Sequence, residues 1–192
     1  MRILQGRLKN KEYGSKKGIE TTRPTTSLVK EAIFNKMADH IHGAEFLDLY
    51  SGTGAIAFEA ISRGAERAVM IEKDALALRI LIENIIKLEI SDICRAYKNE
   101  SIKAIRVLDR KGAKFDIIFM DPPYEAKVSI ETLQALEKSD ILKPTGIVVC
   151  EHHKFEDMPE ELGRFIQYDE KEYGNKRVTY YYQKEVSEVE NG

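Results

Sequence analysis

The sequence is poor in cysteine and has no long apolar run, and both absences limit what the protein can be. Its two cysteines, Cys94 and Cys150, are isolated, so neither a disulfide framework nor a cysteine-based zinc site is expected. No apolar run approaches the roughly 18 residues that span a bilayer. The first residues also lack the apolar core of a signal peptide. These absences favour a cytoplasmic protein with no membrane partner.

The sequence also has little net charge, −2 over 192 residues, which on its face argues against a nucleic-acid partner. The charge is unevenly distributed, however: residues 1–36 carry nine basic and three acidic residues, and the remainder has a net charge of −8. A basic segment attracts a phosphate backbone without reading its sequence. We therefore expect Arg2, Arg7, Lys9 and Lys11 to contact nucleic acid, although a solvated terminus would carry the same charge.

Short apolar runs alternate with segments of helical periodicity. The runs at 46–50, 68–71, 93–97, 115–120 and 147–150 are predicted strands. This alternation predicts βαβ units and a parallel sheet with helices on both faces. Two later runs, at 165–168 and 178–182, flank Gly174-Asn175 and predict a final antiparallel hairpin. The length fits a single α/β domain.

A glycine-containing loop follows the first predicted strand. Its residues are Asp48, Tyr50, Ser51, Gly52 and Gly54. Ligands of open α/β sheets bind at the carboxyl ends of the strands, and glycines allow close backbone approach. The loop lacks the third glycine of a pyrophosphate-binding motif, and Asp48 suits a cationic ligand better. Glu72 ends the second strand, where a carboxylate can accept hydrogen bonds from both ribose hydroxyls. S-adenosylmethionine, a nucleoside with a positive end, fits both carboxylates; a tight turn with incidental glycines is the alternative.

Two adjacent prolines follow the fourth predicted strand, in Asp121-Pro122-Pro123-Tyr124. Proline fixes φ and removes a backbone donor, so the segment presents a stiff set of acceptors beside one aromatic ring. Two acceptors that hold the hydrogens of an exocyclic amine favour a tetrahedral nitrogen and free its lone pair for attack. Tyr124 would hold the base by stacking, and Asp121 could also take the proton. A Pro-Pro turn with no catalytic role is the alternative.

Two histidine pairs could be taken for metal ligands. His40 and His42 flank a helix end, and His152 and His153 follow a predicted strand. Neither pair has a cysteine or carboxylate partner at ligand spacing, and methyl transfer from a sulfonium needs no metal. We therefore expect exposed loop histidines and no metal site.

These motifs together resemble those of the Rossmann-like, S-adenosylmethionine-dependent N-methyltransferases with an [Asp/Asn]-Pro-Pro-[Tyr/Phe] motif. Over residues 1 to 182 the chain is similar to the RsmD-like family, the bacterial 16S ribosomal RNA guanine-N2-methyltransferases. The residues that carry this similarity are Met1-Arg2-Ile3, Gly6, Arg23-Pro24-Thr25, 29–35, 47–54, 62–65, Glu72, Asn84, 121–124 and Tyr173-Gly174.

The resemblance implies a mostly parallel sheet with a C-terminal antiparallel hairpin and a short N-terminal extension. Residues 1–40 would be a basic arm and helix of the same domain, 41–184 the methyltransferase domain and 185–192 a frayed acidic tail. It also implies a substrate guanine in small-subunit ribosomal RNA, free or in an assembling particle, and we expect a monomer. The implied cofactor-binding residues are the glycine loop with Glu72, Lys73, Asn99 and Asp121. The implied catalytic residues are Asp121, Pro122 and Tyr124, and substrate would also contact Arg23, Thr25, Pro123 and Tyr124.

Other functions share parts of this pattern. The Pro-Pro motif also occurs in DNA adenine, DNA cytosine and glutamine methyltransferases, so another base or a protein glutamine is an alternative acceptor. A non-catalytic ribosome-assembly factor that keeps the cofactor as a structural ligand is a second alternative. Only about 45 residues precede the first predicted strand of the catalytic fold, which favours structured RNA over DNA because it leaves no separate recognition domain.

Overall fold

The computed structural model describes residues 1–15, 27–124 and 127–184. Arg23, Thr25 and the segment 185–192 lie outside these ranges, so what was predicted for them stays a prediction. The helices are α1 Ser27–Lys36, α2 Ala38–Ile41, α3 Ala55–Ser62, α4 Ala75–Lys87, α5 Ser101–Arg110 and α6 Val128–Glu137. The strands are β1 Glu45–Asp48, β2 Arg67–Glu72, β3 Cys94–Lys98, β4 Phe115–Met120, β5 Leu142–His153, β6 Glu161–Leu162, β7 Phe165–Tyr173 and β8 Lys176–Gln183.

The strands form one sheet in the order β3-β2-β1-β4-β5-β8-β7-β6. Strands β1 to β5 run parallel, and β8, β7 and β6 continue the sheet antiparallel. Phe46 of β1 packs in a core with residues of α1 to α4, whereas its neighbour Leu47 packs in a second core with residues of α5 and α6. Helices therefore cover both faces, which explains why the central strands are almost wholly apolar. The predicted α/β architecture with a C-terminal antiparallel hairpin is confirmed.

The N-terminal segment, residues 1–15, is held against α3. Its buried side chains are Ile3, Leu8 and Tyr13. The backbone N–H groups of Leu4 and Gln5 donate to the Glu59 carboxylate at 2.9 and 3.0 Å. Glu59 is itself fully buried and also accepts from Arg63 Nε at 2.9 Å. The segment is thus anchored in the core by its buried side chains, while its basic side chains are exposed to solvent.

Gly6 is required where this segment crosses α3. Its φ is +84°, and a Cβ there would lie 1.8 Å from the carbonyl oxygen of Ser62. The Ser62 hydroxyl donates to the carbonyl oxygen of Gln5 at 2.5 Å and accepts from the backbone N–H of Leu8 at 2.9 Å. Glycine therefore permits the close backbone approach on which these hydrogen bonds depend.

Two local expectations are wrong. The fifth strand extends beyond the predicted run 147–150: β5 begins at Leu142 and includes Pro144, and its register against β4 is irregular between Phe115 and Ile117, where a bulge accommodates the proline. His152 is not an exposed loop residue: it belongs to β5, is 1% exposed, and its Nε2 is 2.8 Å from Thr179 Oγ1. Apolar content alone did not reveal how far β5 extends.

Candidate active site

The glycine loop and the Pro-Pro segment lie at adjacent strand ends. Strands β1 and β4 are parallel neighbours, and Asp48 is in register with Phe119. The backbone N–H of Leu49 donates to the carbonyl oxygen of Phe119 at 3.0 Å, so the segments that follow β1 and β4 leave the sheet side by side. Asp121 follows β4 directly. A ligand above β1 is thereby brought next to a ligand held by residues 121–124.

The glycine loop is fixed through the carboxylate of Glu72. One oxygen of Glu72 accepts from the backbone N–H of Gly52 at 2.8 Å, and the other accepts from that of Asp74 at 2.7 Å. An ionised carboxylate offers about four lone-pair positions, so acceptor capacity remains for ribose hydroxyls. Gly54 has φ +100°, and a Cβ there would lie 2.3 Å from ring atoms of Phe58. Only glycine therefore fits this close approach of the loop to α3.

Asp48 is 2% exposed, so its carboxylate is almost wholly removed from water. Burial raises its pKa to about 7, and the nearby charge of Glu72 adds to the rise. Hydrogen bonds from the backbone N–H of Tyr50, at 3.2 Å, and from Ser51 oppose it. A buried carboxylate of this kind is stabilised by a cation, which is the charge carried by the sulfonium end of S-adenosylmethionine.

The remaining predicted cofactor residues surround this loop to different degrees. The backbone N–H of Asn99 donates to the Glu72 carbonyl oxygen at 3.2 Å, so Asn99 lies beside the end of β2, half-buried. Lys73 is exposed next to Glu72. The Tyr50 hydroxyl is directed elsewhere, 2.6 Å from Thr132 Oγ1 of α6. Their contacts with cofactor stay predictions.

The acceptor segment combines buried and exposed parts. Pro122 is buried, Asp121 and Pro123 are half-buried, and Tyr124 is 47% exposed. Burial and the charge of Glu151 raise the pKa of Asp121 well above its ordinary value, Lys176 opposes them, and Asp48 adds a smaller rise. The pKa of Asp121 is therefore set by two nearby carboxylates and one nearby ammonium, and the partly exposed ring of Tyr124 lies in the same segment.

The chain matches known proteins over nearly all its length. The family described as Conserved hypothetical protein 95 matches residues 1–182. The candidate rRNA methyltransferase YlbH of Bacillus subtilis is 31% identical over 181 residues, 94% of this chain and 98% of that protein. Ribosomal RNA small subunit methyltransferase D of Escherichia coli is 35% identical over 129 residues, 67% of this chain and 63% of that protein. The chain belongs to this RsmD family.

Solved structures agree with this assignment. The candidate methyltransferase yhhF from Escherichia coli superposes with a TM-score of 0.85 at 29% identity, over 96% of this chain and 98% of that one. The Haemophilus influenzae protein HI0767, a candidate methylase, gives a TM-score of 0.77 at 25% identity, over 94% and 97%. The RsmD-family chain is therefore a methyltransferase, and the resemblance drawn from its motifs is confirmed.

Two residues of this RsmD-family site, Glu151 and Lys176, were not predicted from the sequence. Glu151 of β5 is 0% exposed, and its carboxylate forms an ion pair with the ammonium of Lys176 in β8. The Lys176 Nζ is 5.9 Å from the centroid of the Tyr124 ring. The sequence did contain an indication of Glu151, because a glutamate directly after the apolar run 147–150 is unusual in a buried strand. Its partner could be found only once the pairing of β5 with β8 was known.

Asn84 of α4 joins the N-terminal segment to the glycine loop. It is 3% exposed, and its Nδ2 donates to the carbonyl oxygens of Gly14 and Thr53, both at 3.0 Å. Its Oδ1 accepts from the backbone N–H of Gly14 at 2.7 Å. One side chain therefore fixes two segments that are predicted to contact different ligands.

The predicted substrate residues of the N-terminal segment lie on its exposed side. They are Arg2, Arg7, Lys9 and Lys11. Arg2 is 3.1 Å from Glu12, and Lys11 is 3.8 Å from Glu89. Exposed pairs of this kind contribute little to stability, so phosphate could replace either acid as the partner.

No helix in the ranges 1–15, 27–124 and 127–184 is long and apolar enough to cross a bilayer. The part of the chain that the structure describes contains no group of three or more potential metal ligands.

Proposed function

We propose that this protein transfers a methyl group from S-adenosylmethionine to the exocyclic N2 amine of a guanine in small-subunit ribosomal RNA. The observation that carries the proposal is the position of Asp121–Tyr124 at the end of β4, beside the glycine loop at the end of β1. Membership of the RsmD family supports it, since Escherichia coli and Haemophilus influenzae relatives are named for methylation of small-subunit ribosomal RNA.

The residues at the ends of β1 and β2 fit the cofactor. When bound, S-adenosylmethionine supplies a methyl group on a cationic sulfonium whose leaving group is a neutral thioether. Glu72 would accept hydrogen bonds from the ribose hydroxyls, and the glycine loop of Ser51, Gly52 and Gly54 would bring backbone close to the ligand. Asp48 offers negative charge to the cationic end. Asn99 and Lys73 lie at the edge where the adenine would be held.

The acceptor residues orient the amine and the base. The Asp121 carboxylate and the Pro122 carbonyl oxygen accept the two N–H groups of the amine, which directs its lone pair toward the cofactor. Tyr124 stacks on the guanine, with Pro123 fixing the turn of the chain. The bound cofactor would supply the methyl group together with a neutral thioether leaving group, and Asp121 or water would take the surplus proton from the methylated nitrogen. The contribution of the protein is orientation and electrostatics.

The RNA is held by the basic side chains of the N-terminal segment. Arg2, Arg7, Lys9 and Lys11 would contact phosphates around the flipped guanine, with Arg23 and Thr25 completing the contact. We expect the protein to act as a monomer. Naked RNA and an assembling particle differ in which phosphates remain accessible, so the two substrates must be compared directly.

A substrate panel tests the proposal. Purified protein and isotope-labelled cofactor would be incubated with small-subunit particles, naked 16S ribosomal RNA, DNA and a mixture of proteins, and the labelled nucleosides identified by mass spectrometry. We expect N2-methylguanosine in the RNA of one or both ribosomal samples. Label in DNA or in protein glutamine, with none in RNA, would favour the alternative acceptors instead. Cofactor binding without transfer to any sample would favour a non-catalytic assembly factor.

A further inference from the structure

A buried ion pair lies beside the acceptor segment. Glu151 and Lys176 are 0% and 8% exposed, and the Lys176 ammonium contacts the Glu151 carboxylate. In the antiparallel pairing of β5 with β8, Glu151 is opposite Val178 and His153 is opposite Lys176. Glu151 and Lys176 are therefore diagonal neighbours on one face of the sheet, within reach of each other's long side chains.

Folding alone gives little reason for charges at these two positions. Two ions taken out of water lose hydration that their mutual attraction recovers only with good geometry. Apolar residues of the same volume are often as stabilising or more so. Three of their neighbours on the same face of the sheet, Val149, Val178 and Tyr180, are uncharged and fully buried. A charged pair in this apolar setting favours a role in the adjacent site.

The pair faces the two acceptor residues whose side chains do the proposed chemistry. The Lys176 Nζ is 5.9 Å from the centroid of the Tyr124 ring, and Tyr124 packs edge-on against His153 with centroids 5.4 Å apart. Burial raises the pKa of Asp121, with Glu151 and Asp48 raising it further. Among the described residues, Lys176 is the cation that opposes these effects.

We propose that Lys176, held in place by Glu151, is a positioning residue of the methyl-acceptor site: its ammonium balances the charge of Asp121 and fixes the ring of Tyr124. This inference rests on the proposed function, because it takes Asp121 as the acceptor of the amine N–H.

Charge balance matters because only the ionised carboxylate is purely an acceptor. A protonated Asp121 would present an O–H donor to an amine that is itself a donor. Neighbouring carboxylates do not all ionise readily without a cation between them. The described groups whose charges act on the pKa of Asp121 are Asp48 from β1, Glu151 from β5 and Lys176 from β8, and Asp121 in turn raises the pKa of Tyr124 in its own segment. Removal of Lys176 takes away the positive charge that opposes the rise in the pKa of Asp121.

The test measures the ionisation of Asp121 and the methylation rate in matched variants. Lys176→Met removes the charge and keeps the length, Lys176→Arg keeps the charge, and Lys176→Met with Glu151→Gln removes both charges. Lys171→Met, at an exposed lysine of β7 that pairs with Asp169, is the control for loss of one lysine in the same hairpin. Asp121 would be followed by carboxyl-carbon NMR, assigned by comparison with Asp121→Asn, and the rate by its pH profile.

We expect Lys176→Met to raise the NMR midpoint of Asp121 and the acidic limb of the rate profile by about one pH unit or more. Lys176→Arg should stay near wild type, and the double variant should move back toward it, with cofactor affinity and the Lys171→Met control unchanged. An unmoved Asp121 midpoint in Lys176→Met would overturn the inference, even if the rate fell, because a merely structural loss lowers activity without that shift. The NMR measurement also distinguishes failure of this inference from failure of the proposed function. If Lys176→Met moves the Asp121 midpoint but the protein methylates no RNA, the charge balance is supported and the proposed function is contradicted.

Discussion

The two ends of the candidate active site are held by different means. At the cofactor end, Glu72 accepts from the backbone N–H groups of Gly52, in the loop after β1, and of Asp74, in the loop after β2. At the acceptor end, Asp121 depends on charges from Glu151 and Lys176, which come from two other strands. The cofactor end is thus organised by hydrogen bonds from the backbone, and the acceptor end by the charges of side chains. Substitutions at the two ends should therefore have separable effects.

The largest expected effect is at the acceptor end. Asp121→Ala should lower the methylation rate constant by about 100-fold or more, because the amine loses an orienting acceptor. Cofactor affinity, measured by calorimetry, should change little. A comparable loss of cofactor affinity would show that substitutions at the two ends do not have separable effects.

Asp121→Asn sharpens the same point, since asparagine keeps an acceptor oxygen but cannot take a proton. If Asp121 acts as a hydrogen-bond acceptor, Asn should retain activity within about tenfold of wild type, the cost of one weakened hydrogen bond. Single-turnover rates with saturating RNA measure this. A rate as low as that of Asp121→Ala would instead indicate a base.

A somewhat smaller effect is expected at the cofactor end. Glu72→Ala removes the acceptor for the ribose and releases the backbone of Gly52. Hydrogen bonds to a charged group contribute about 1.5–3 kcal/mol, so the dissociation constant for cofactor should rise by about 10- to 100-fold. Glu66→Ala, at an exposed glutamate just before β2, is the matched control and should bind cofactor normally. Unaltered binding by Glu72→Ala would remove the ribose assignment.

The pH dependence of cofactor binding tests the role of Asp48. Its pKa is raised by burial to about 7, so the carboxylate is largely protonated at pH 6 and ionised at pH 8. A cationic ligand prefers the ionised form, so affinity should increase with pH through this window and level off above it. The increase should be about tenfold between pH 6 and pH 8, the ratio of ionised fractions for a pKa near 7. Asp48→Asn should flatten the curve, and a curve that keeps its slope would assign the titration to another group.

The smallest effect concerns RNA contact by the N-terminal segment. Replacement of Arg7 and Lys9 by Gln should reduce the slope of log affinity for RNA against log salt by about 1.5, since each lost phosphate contact accounts for roughly 0.7–0.9. Affinity for cofactor should be unaffected, because the change lies outside the glycine loop. A salt slope equal to that of wild type would show that these side chains do not meet phosphate.

The same contrast explains what the sequence could predict. Asp48, the glycines and Glu72 form a recognisable pattern because strand ends of a parallel sheet meet at one edge, and the order of the strands follows from the alternation of elements. Residues 121–124 are recognisable for the same reason. Lys176 was not predicted, because its relation to Glu151 exists only in the register of an antiparallel pair. His152 was misplaced for a similar reason: its partner Thr179 lies on β8, 27 residues away.

The N-terminal segment shows another limit. Its basic composition predicted an arm for phosphate, but its backbone is held by the buried Glu59 and Ser62 of α3. From the sequence alone, a carboxylate buried in an apolar helix face is expected to destabilise the fold. The structure shows the backbone donors that satisfy it. The sequence therefore indicated what the exposed side chains could bind, and the structure revealed what holds them in place.

Methylation of guanine N2 through Asp121 is tested most directly by mass-spectrometric nucleoside mapping of small-subunit ribosomal RNA. The cells would lack this protein or would carry restored wild-type or Asp121→Ala protein. We expect that one N2-methylguanosine is absent without the protein, returns with the wild type and stays absent with Asp121→Ala. A full set of N2-methylguanosines in the cells without the protein, or restoration by Asp121→Ala, would contradict it.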